Sequence, residues 1–458
     1  MQTRGGRPRT RSGLNAVAPG ATVLLRRRSS TDQWPYDSPG MKRPKVVIVG
    51  GGFGGLTCAN ELDGCSVDVL LLDSNNYHLF TPLLYQVATA LLNPSDIAYP
   101  LRSRFRRSRN VRFRQARVEE MDFAAKTVRT ENGDAIGYDW LVLATGSTNN
   151  YFGNQKLADA AIGMKTLPEA LRLRNHVLAC LEQASKTSSD ADRRRWLTFV
   201  VVGGGPTGVE YAGALGELLR IVLGRDYPDL RPEVARIVLL EARDRLLPEF
   251  AERLSRYARR ALRRRGVEVR TQTLMEDVTD RGVRVTGGEE VETATIVWSA
   301  GVRPDDATVD VTRSPSQRVV VDGQFRIKDC PGAFAIGDLA SVRWRGSELP
   351  MLSPPAMQAG RYVARLILGE SQPSFRYIDK GTLATIGRNS AVGQVGPLQF
   401  TGFIGWVVWL LVHIYYLIGF RNRLAVLMSW GWNYLRRDRP IRIVARADFD
   451  PLANEVEG

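Results

Sequence analysis

The chain predicts an α/β fold: two Rossmann-like dinucleotide-binding domains followed by C-terminal amphipathic helices suited to a membrane surface. Three observations predict it. Two glycine-rich turns stand about 150 residues apart, each directly after an apolar run. In both cases a later apolar run ends in an acid, and the C-terminal stretch is apolar, aromatic and bracketed by arginines.

Residues 1–40 carry seven arginines, no acid before Asp32, and several Pro, Gly and Ser residues. That composition suits a disordered basic tail, and an Arg- and Ser-rich, acid-poor leader also resembles an organelle transit peptide. Met41, just before the first strand, is an alternative start. Val46–Val49 then runs into Gly50-Gly51-Gly52-Phe53-Gly54-Gly55, an amphipathic pattern over Leu56–Leu62, and a second apolar run, Val67–Leu72, closed by Asp73. Strand, glycine turn, helix, strand and acid are the parts of a dinucleotide fingerprint. Gly50 permits the tight turn, Gly52 lets backbone amides approach a pyrophosphate, and Gly55 allows close helix-to-strand contact. Asp73 is placed to accept from a ribose.

The second turn, Gly203-Gly204-Gly205-Pro206-Thr207-Gly208, follows Leu197–Val202 and opens a helix expected over Val209–Val222. Leu223–Val234, with two prolines and a glycine, reads as a loop insertion before Arg236–Leu240 and the acid Glu241. A carboxylate there accepts from a ribose 2′-hydroxyl and repels a 2′-phosphate, which favours NADH over NADPH. Arg243 and Arg245 argue the other way, though arginine is common throughout the chain. Two further strand-to-turn segments, Tyr138–Leu143 with Ala144-Thr145-Gly146 and Ala333–Ile336 with Gly337-Asp338, lie far apart in sequence. In flavoproteins with two dinucleotide sites such segments return to the first domain and close over FAD.

Composition narrows the chemistry. The 458 residues, 44% of them hydrophobic, are ample for about three domains. Three histidines and four cysteines without CxxC spacing speak against zinc and against most histidine-based hydrolysis; no metal is expected. Asn75–Asn93 contains no cysteine, so a disulfide reductase of this architecture lacks its redox pair. The cysteines read as small buried apolar side chains in a reducing compartment. The formal charge of +15 is carried largely by arginine, with runs at Arg102–Arg117 and Arg253–Arg265. Arginine bias with solvated helix faces explains them, as does attraction to an anionic membrane surface. Nucleic acid is not expected, because no recognition motif or aromatic platform accompanies them.

At the C-terminal end, Gly402–Phe420 is uncharged and rich in Trp, Val, Leu, Ile and Tyr, followed by Arg421-Asn422-Arg423. A second apolar stretch, Leu424–Leu435, closes with Arg436-Arg437. By length the first could just span a bilayer. The flanking arginines and aromatics fit equally a helix pair lying in one leaflet, and core or dimer-contact helices are a third reading.

Four segments carry a family resemblance: Asn76-Tyr77-His78-Leu79-Phe80-Thr81-Pro82-Leu83-Leu84-Tyr85-Gln86-Val87-Ala88, Gly203–Glu210, Ala335–Asp338, and Tyr416–Leu424. Over residues 45–440 the chain resembles the type II NADH:quinone oxidoreductases, single-subunit, non-pumping respiratory enzymes similar in fold to glutathione reductase. The resemblance implies non-covalent FAD, hydride transfer from NADH to FAD, and two electrons passed on to a membrane quinone. It also implies monotopic, leaflet-embedded C-terminal helices, a homodimer, and a place on the cytoplasmic side of the cell inner membrane. A sulfide:quinone oxidoreductase, which would need Cys180 and Cys330, and a non-catalytic NADH-sensing flavoprotein are the alternatives.

The expected organisation is therefore a basic tail (1–40), an FAD-binding domain (41–165), an NADH-binding domain (166–300), a return to the FAD domain (301–376) with a quinone-side segment at 350–360, a C-terminal cap (377–440) with helices at 402–420 and 424–435, and a tail (441–458). For FAD the residues are Gly50, Gly52, Phe53, Gly54, Gly55, Asp73, Ser74, Pro82, Leu83, Val118, Ala144, Thr145, Gly146, Gly337, Asp338 and Met357. For NADH they are Gly203, Gly205, Pro206, Thr207, Gly208, Glu241 and Gly301. The resemblance puts Tyr85, Gln86, Pro354 and Gln358 on the quinone side and gives catalytic roles to Glu210, near the nicotinamide and flavin, and to Gln358; a helix-terminus charge is the other reading of Glu210, and flavin contact or packing under the ring that of Tyr85 and Gln86. The family's quinone-side pattern, Ala-Gln/Pro-x-Ala-x-Gln-Gln-Gly, is only partly kept by Ser353–Gly360: Gln358 is present, Ala359 stands at the second glutamine, and Ser353 replaces alanine.

Overall fold

A computed structural model describes residues 43–231, 234–305, 310–436, 439 and 441–444. The basic tail, Met41 and most of the final tail lie outside the described residues. Continuous Val, Ile and Leu runs are the sequence of strands buried on both faces, and they build two five-stranded parallel sheets. In the first, Lys45–Val49 lies between Asp68–Asp73 and Trp140–Leu143, with Val111–Gln115 and Ala333–Ala335 at the edges. In the second, Thr198–Val202 lies between Arg236–Glu241 and Thr295–Trp298, with Val267–Thr271 and Ile162–Gly163 at the edges.

The halves repeat one plan. Each carries a three-stranded antiparallel sheet in the same place, Val118–Gly137 in the first and Met275–Glu292 in the second. Both return segments foreseen in the sequence join the first sheet. They place Ala144–Gly146 beyond Leu143, the neighbour of Val49, and Gly337–Asp338 beyond Ala335, the neighbour of Leu143 on its other side. The strands Ser147–Asn149 and Val302–Pro304 pair antiparallel and join the two halves.

Helix limits differ from the sequence expectation at both cradles and at the C-terminal end, and the first-cradle helix runs Phe53–Glu61 rather than Leu56–Leu62. The second-cradle helix runs Pro206–Leu223, beginning earlier than Val209, because Gly205 caps it and Pro206 takes the first turn, where no N–H partner is needed. The uncharged stretch Gly402–Phe420 is not one helix. It is helix Gly402–Tyr416, a break at Leu417–Gly419 with Gly419 at φ +88°, and a second helix, Phe420–Arg436, that takes Arg421-Asn422-Arg423 into its first turn. Among the described residues no helix is long and apolar enough to cross a membrane, which removes the spanning reading.

The helix pair has two faces. Trp409, Leu417 and Val426 are buried against the body, and Asn422 donates to the Ser95 and Ala98 carbonyls. Phe403, Ile404, Leu411, Tyr415, Phe420, Met428 and Leu435 are exposed. The basic helix Glu252–Arg263 buries Leu254, Ala258, Ala261 and Leu262, so most of its arginines form a solvated face.

Candidate functional site

Each parallel sheet ends in a glycine turn held by an acid from the neighbouring strand. Gly50 and Gly203 adopt φ +107° and +109°, the left-handed region that glycine enters without strain. A Cβ on Gly55 would collide with Gly50 O, and one on Gly208 with Gly203 O, so both helices start hard against their strands. At Gly52 and Gly205 a Cβ would meet no atom within 4 Å, which leaves open space at each helix N-terminus. Asp73 accepts from the Gly51 and Asn75 amides at 2.6 and 2.7 Å. Glu241 does the same with the Gly204 and Arg243 amides, both at 2.7 Å. Burial raises the Asp73 carboxyl pKa against those two bonds, which lower it.

The remaining first-site residues gather around this turn. Phe53 opens the helix and meets His78 edge to face at 5.0 Å. Gly54 packs beside Ile336 and Ala356, and a Cβ on Gly360 would collide with Gly54 O, so helix Ser353–Ile367 crosses the cradle helix at two glycines. Leu83 is buried at the end of the short turn Thr81–Leu83 that carries Pro82, Ser74 accepts from Gln115 at 2.9 Å, and Val118 begins a strand at the edge of the first core. Ala144 bonds back to Val49 O, Gly146 and Gly337 take positive φ, and Thr145 Oγ1 is buried without a partner. Asp338 is held by Ser147 Oγ at 2.5 Å and by Lys165 at 3.6 Å.

At the second site Thr207 is exposed at the mouth of the turn, and Gly301 accepts from Asn150 at 3.1 Å where the two halves join. Arg243 is exposed beside Glu241, whereas Arg245 donates to the Pro248 carbonyl.

Between the cradles and the C-terminal helices lies a polar cluster in an apolar surround. Glu210 accepts from the Thr385 amide at 3.2 Å. The residue keeps some accessible surface while protein crowds its carboxyl group, and burial pushes its pKa up to about 8. The Trp409 indole beside it lowers that value slightly, although its N–H closes no well-formed hydrogen bond. Tyr85 and Gln86 are buried; Gln86 Nε2 donates to the Tyr85 hydroxyl at 2.7 Å, and Gln86 Oε1 accepts from Trp430 Nε1 at 2.7 Å. Burial, then the Glu210 charge, holds the Tyr85 hydroxyl well above its usual pKa.

The structure does not bring Gln358 into that cluster by any hydrogen bond it makes. Its amide is clasped to the Ile378 backbone, donating at 2.9 Å and accepting at 3.0 Å, on a helix whose first turn holds Pro354 and which also carries Met357. Ala359, at the family's second glutamine, is buried. Cys180 belongs to one core and Cys330 packs at the edge of the other, and both are free thiols.

Several contacts escaped the sequence reading. His78 Nδ1 bonds the Gly51 carbonyl at 2.9 Å, and burial lowers its pKa to about 4, so a neutral imidazole braces the first turn. Thr385 and Trp430 reach the polar cluster from 175 and 344 residues away; no spacing rule connects such positions.

Two parallel sheets, each with a glycine turn and an acid, define a protein with two dinucleotide sites. A model of the pyridine nucleotide-disulphide oxidoreductase family matches residues 44–360. Two Mycobacterium tuberculosis type II NADH:quinone oxidoreductases are similar over most of their length: NdhA at 38% identity, covering 87% of this chain and 88% of the relative, and Ndh at 37%, covering 90% and 92%. NDH2 of Plasmodium falciparum, solved in complex with NADH, shares the fold with a TM-score of 0.81 at 20% identity, covering 87% of this chain and 100% of that one. The chain belongs to the pyridine nucleotide-disulphide oxidoreductase family, and within it to the type II NADH:quinone oxidoreductases. It is accordingly an NADH dehydrogenase, and the family's cofactors are FAD and NADH.

Proposed function

We propose that this chain oxidises NADH and reduces a membrane quinone, NADH + H⁺ + quinone giving NAD⁺ + quinol, without moving ions across the membrane. FAD, when bound, supplies the two-electron chemistry that links the two half-reactions. The protein's part is to hold both partners and manage protons. Gly52, Gly54 and Gly55 would present backbone amides to the FAD pyrophosphate, with Gly50 making the turn and Asp73 toward the ribose. Open space at Gly52 and the orphaned Thr145 Oγ1 fit a bound group there. Gly205 and Gly208 would do the same for NADH, with Gly203 making the turn and Glu241 accepting from the ribose.

Quinone would enter from the side of the C-terminal helices, where Tyr85 and Gln86 offer donors. The observation that carries this reading is the seating of Tyr85 and Gln86 between the second-cradle helix and the C-terminal helix pair. One side of that cluster packs on the NADH half and the other meets Trp409 and Trp430 of the C-terminal helices. Glu210, neutral below about pH 8, is placed to hold a proton for the quinol. Gln358 has one amide hydrogen left beyond its clasp on Ile378 and would contribute through it or by fixing the Ile378 segment. The exposed apolar helix face supports monotopic attachment at the cytoplasmic side of the inner membrane, and part of that face would serve a homodimer.

Anaerobic stopped-flow absorbance of the FAD-loaded protein tests the reading. Rapid bleaching by NADH, slower bleaching by NADPH, and rapid reoxidation by a short-chain quinone are expected. Bleaching without reoxidation by quinone would make the chain an NADH sensor or direct it to another acceptor.

A further inference from the structure

Trp430 stands on the second C-terminal helix, yet its indole N–H ends on Gln86, a buried residue of the first half of the fold. An indole N–H is a donor only, so the Gln86 atom facing it must be the carbonyl oxygen. The amide nitrogen must then face the Tyr85 hydroxyl, 2.7 Å away, and donate to it. The Tyr85 oxygen thereby accepts, which leaves its own hydrogen free for a second partner. One donor-only group at the head of the chain thus sets the direction of every hydrogen in it.

The head of the chain is itself firmly placed. Trp430 packs against Trp409 at 5.6 Å, and Trp409 is buried and stacked on His413 at 4.0 Å. The helix carrying Trp430 is fastened at its start by Asn422 to the Ser95 and Ala98 carbonyls, and near its end Tyr434 lies under the Arg388 guanidinium at 4.0 Å. Removing the indole N–H would leave the buried Gln86 oxygen without a partner. It would also free the amide to turn over, after which the Tyr85 hydroxyl would donate to Gln86 and have no hydrogen left for a second partner.

We propose that Trp430 is a positioning residue for the quinone half-reaction. It fixes the Trp430 → Gln86 → Tyr85 hydrogen-bond direction so that the chain ends in a Tyr85 O–H available to a quinone oxygen. This rests on the quinone reading given above and adds a dependence of that step on how the second C-terminal helix is seated.

The test is Trp430→Phe in the full-length, FAD-loaded protein, which keeps the ring and removes only the N–H. Three rates are compared with the wild type: anaerobic bleaching by NADH, NADH-driven ferricyanide reduction, and kcat/KM for a short-chain quinone. Bleaching and ferricyanide reduction should stay within about twofold, while quinone kcat/KM falls about tenfold, the scale of one buried hydrogen bond left unmade. In a double-mutant cycle, Trp430→Phe on a Gln86→Leu background should cost almost nothing further, because the two act through one chain. Unchanged quinone kinetics in Trp430→Phe, equal losses in all three rates, or losses that multiply in the double variant would each overturn the proposal. If the wild type itself is bleached by NADH but not reoxidised by quinone, the functional reading fails first, and the role assigned to Trp430 fails with it.

Discussion

Glu241 and Gly204 are joined by a hydrogen bond of 2.7 Å from the glycine amide to the carboxylate, the counterpart of the 2.6 Å bond between Asp73 and Gly51. The acid proposed to face the ribose therefore also shapes the turn proposed to cradle the phosphates. Replacing Glu241 by Gln keeps the size and removes the charge. The expected result in steady-state kinetics is a rise of about tenfold in KM for NADH, as a charged hydrogen bond is lost, with the NADPH to NADH preference shifting toward NADPH.

Gly55 and Gly208 make parallel demands in the two halves, since a Cβ on either would strike the backbone oxygen of the first glycine of its own turn. Gly208→Ala should retain FAD absorbance on purification yet lose rapid bleaching by NADH. Gly55→Ala should purify with little FAD. Flavin content and stopped-flow bleaching separate the two outcomes.

Glu210 carries a pKa raised from 4.5 to about 8 by burial. Between those values the unfolded chain is ionised there while the folded protein still holds the proton. This contribution to stability is therefore complete below about pH 4.5 and is lost as pH rises through about 8. Glu210→Gln should flatten the fall in melting temperature between pH 5 and 9. If the neutral acid supplies a proton to the quinone step, wild-type quinone turnover should decline above about pH 8, and the glutamine variant should be slow without that decline.

The C-terminal helices separate into an inner face that is part of the core and an outer face that is not. Trp409 and Val426 are 1% and 0% exposed, whereas Phe420 and Leu435 are 82% and 80% exposed. Deleting residues 402–458 would uncover buried surface and lower the melting temperature. Aspartate at Leu411, Phe420 and Leu435 should leave melting and NADH-driven ferricyanide reduction near wild type and abolish co-sedimentation with anionic vesicles. Unchanged sedimentation would assign the outer face to a protein contact instead.

Much of this architecture was legible in the sequence because the requirements are local. A left-handed glycine, a helix start without room for a Cβ, and an acid at a strand end each leave a mark within a few residues. Gly50, Gly55, Asp73, Gly203, Gly208 and Glu241 were all readable in that way. The return strands were also legible, since an apolar run followed by a glycine turn has few other uses. The helix break at Leu417–Gly419 was hidden because an uncharged apolar run looks the same whether one helix or two lie within it, and only contact with Tyr99 and Ser95 decides. The pairings Glu210 with Thr385, Gln86 with Trp430 and Gln358 with Ile378 join segments whose meeting depends on how whole elements pack. Residue type shows that a buried amide needs partners, and only the fold supplies their identity.

Gly419 sits with its Cα against the Tyr99 ring, so closely that a methyl group there would strike it, while Asn422 one turn later bonds the Ser95 and Ala98 carbonyls just before Tyr99. The corner between the two helices is thus fastened to the body. Were the exposed face of these helices to enter a leaflet, that fastening would set the tilt and height of the remainder of the molecule, and with them the distance from the lipid headgroups to the two glycine turns.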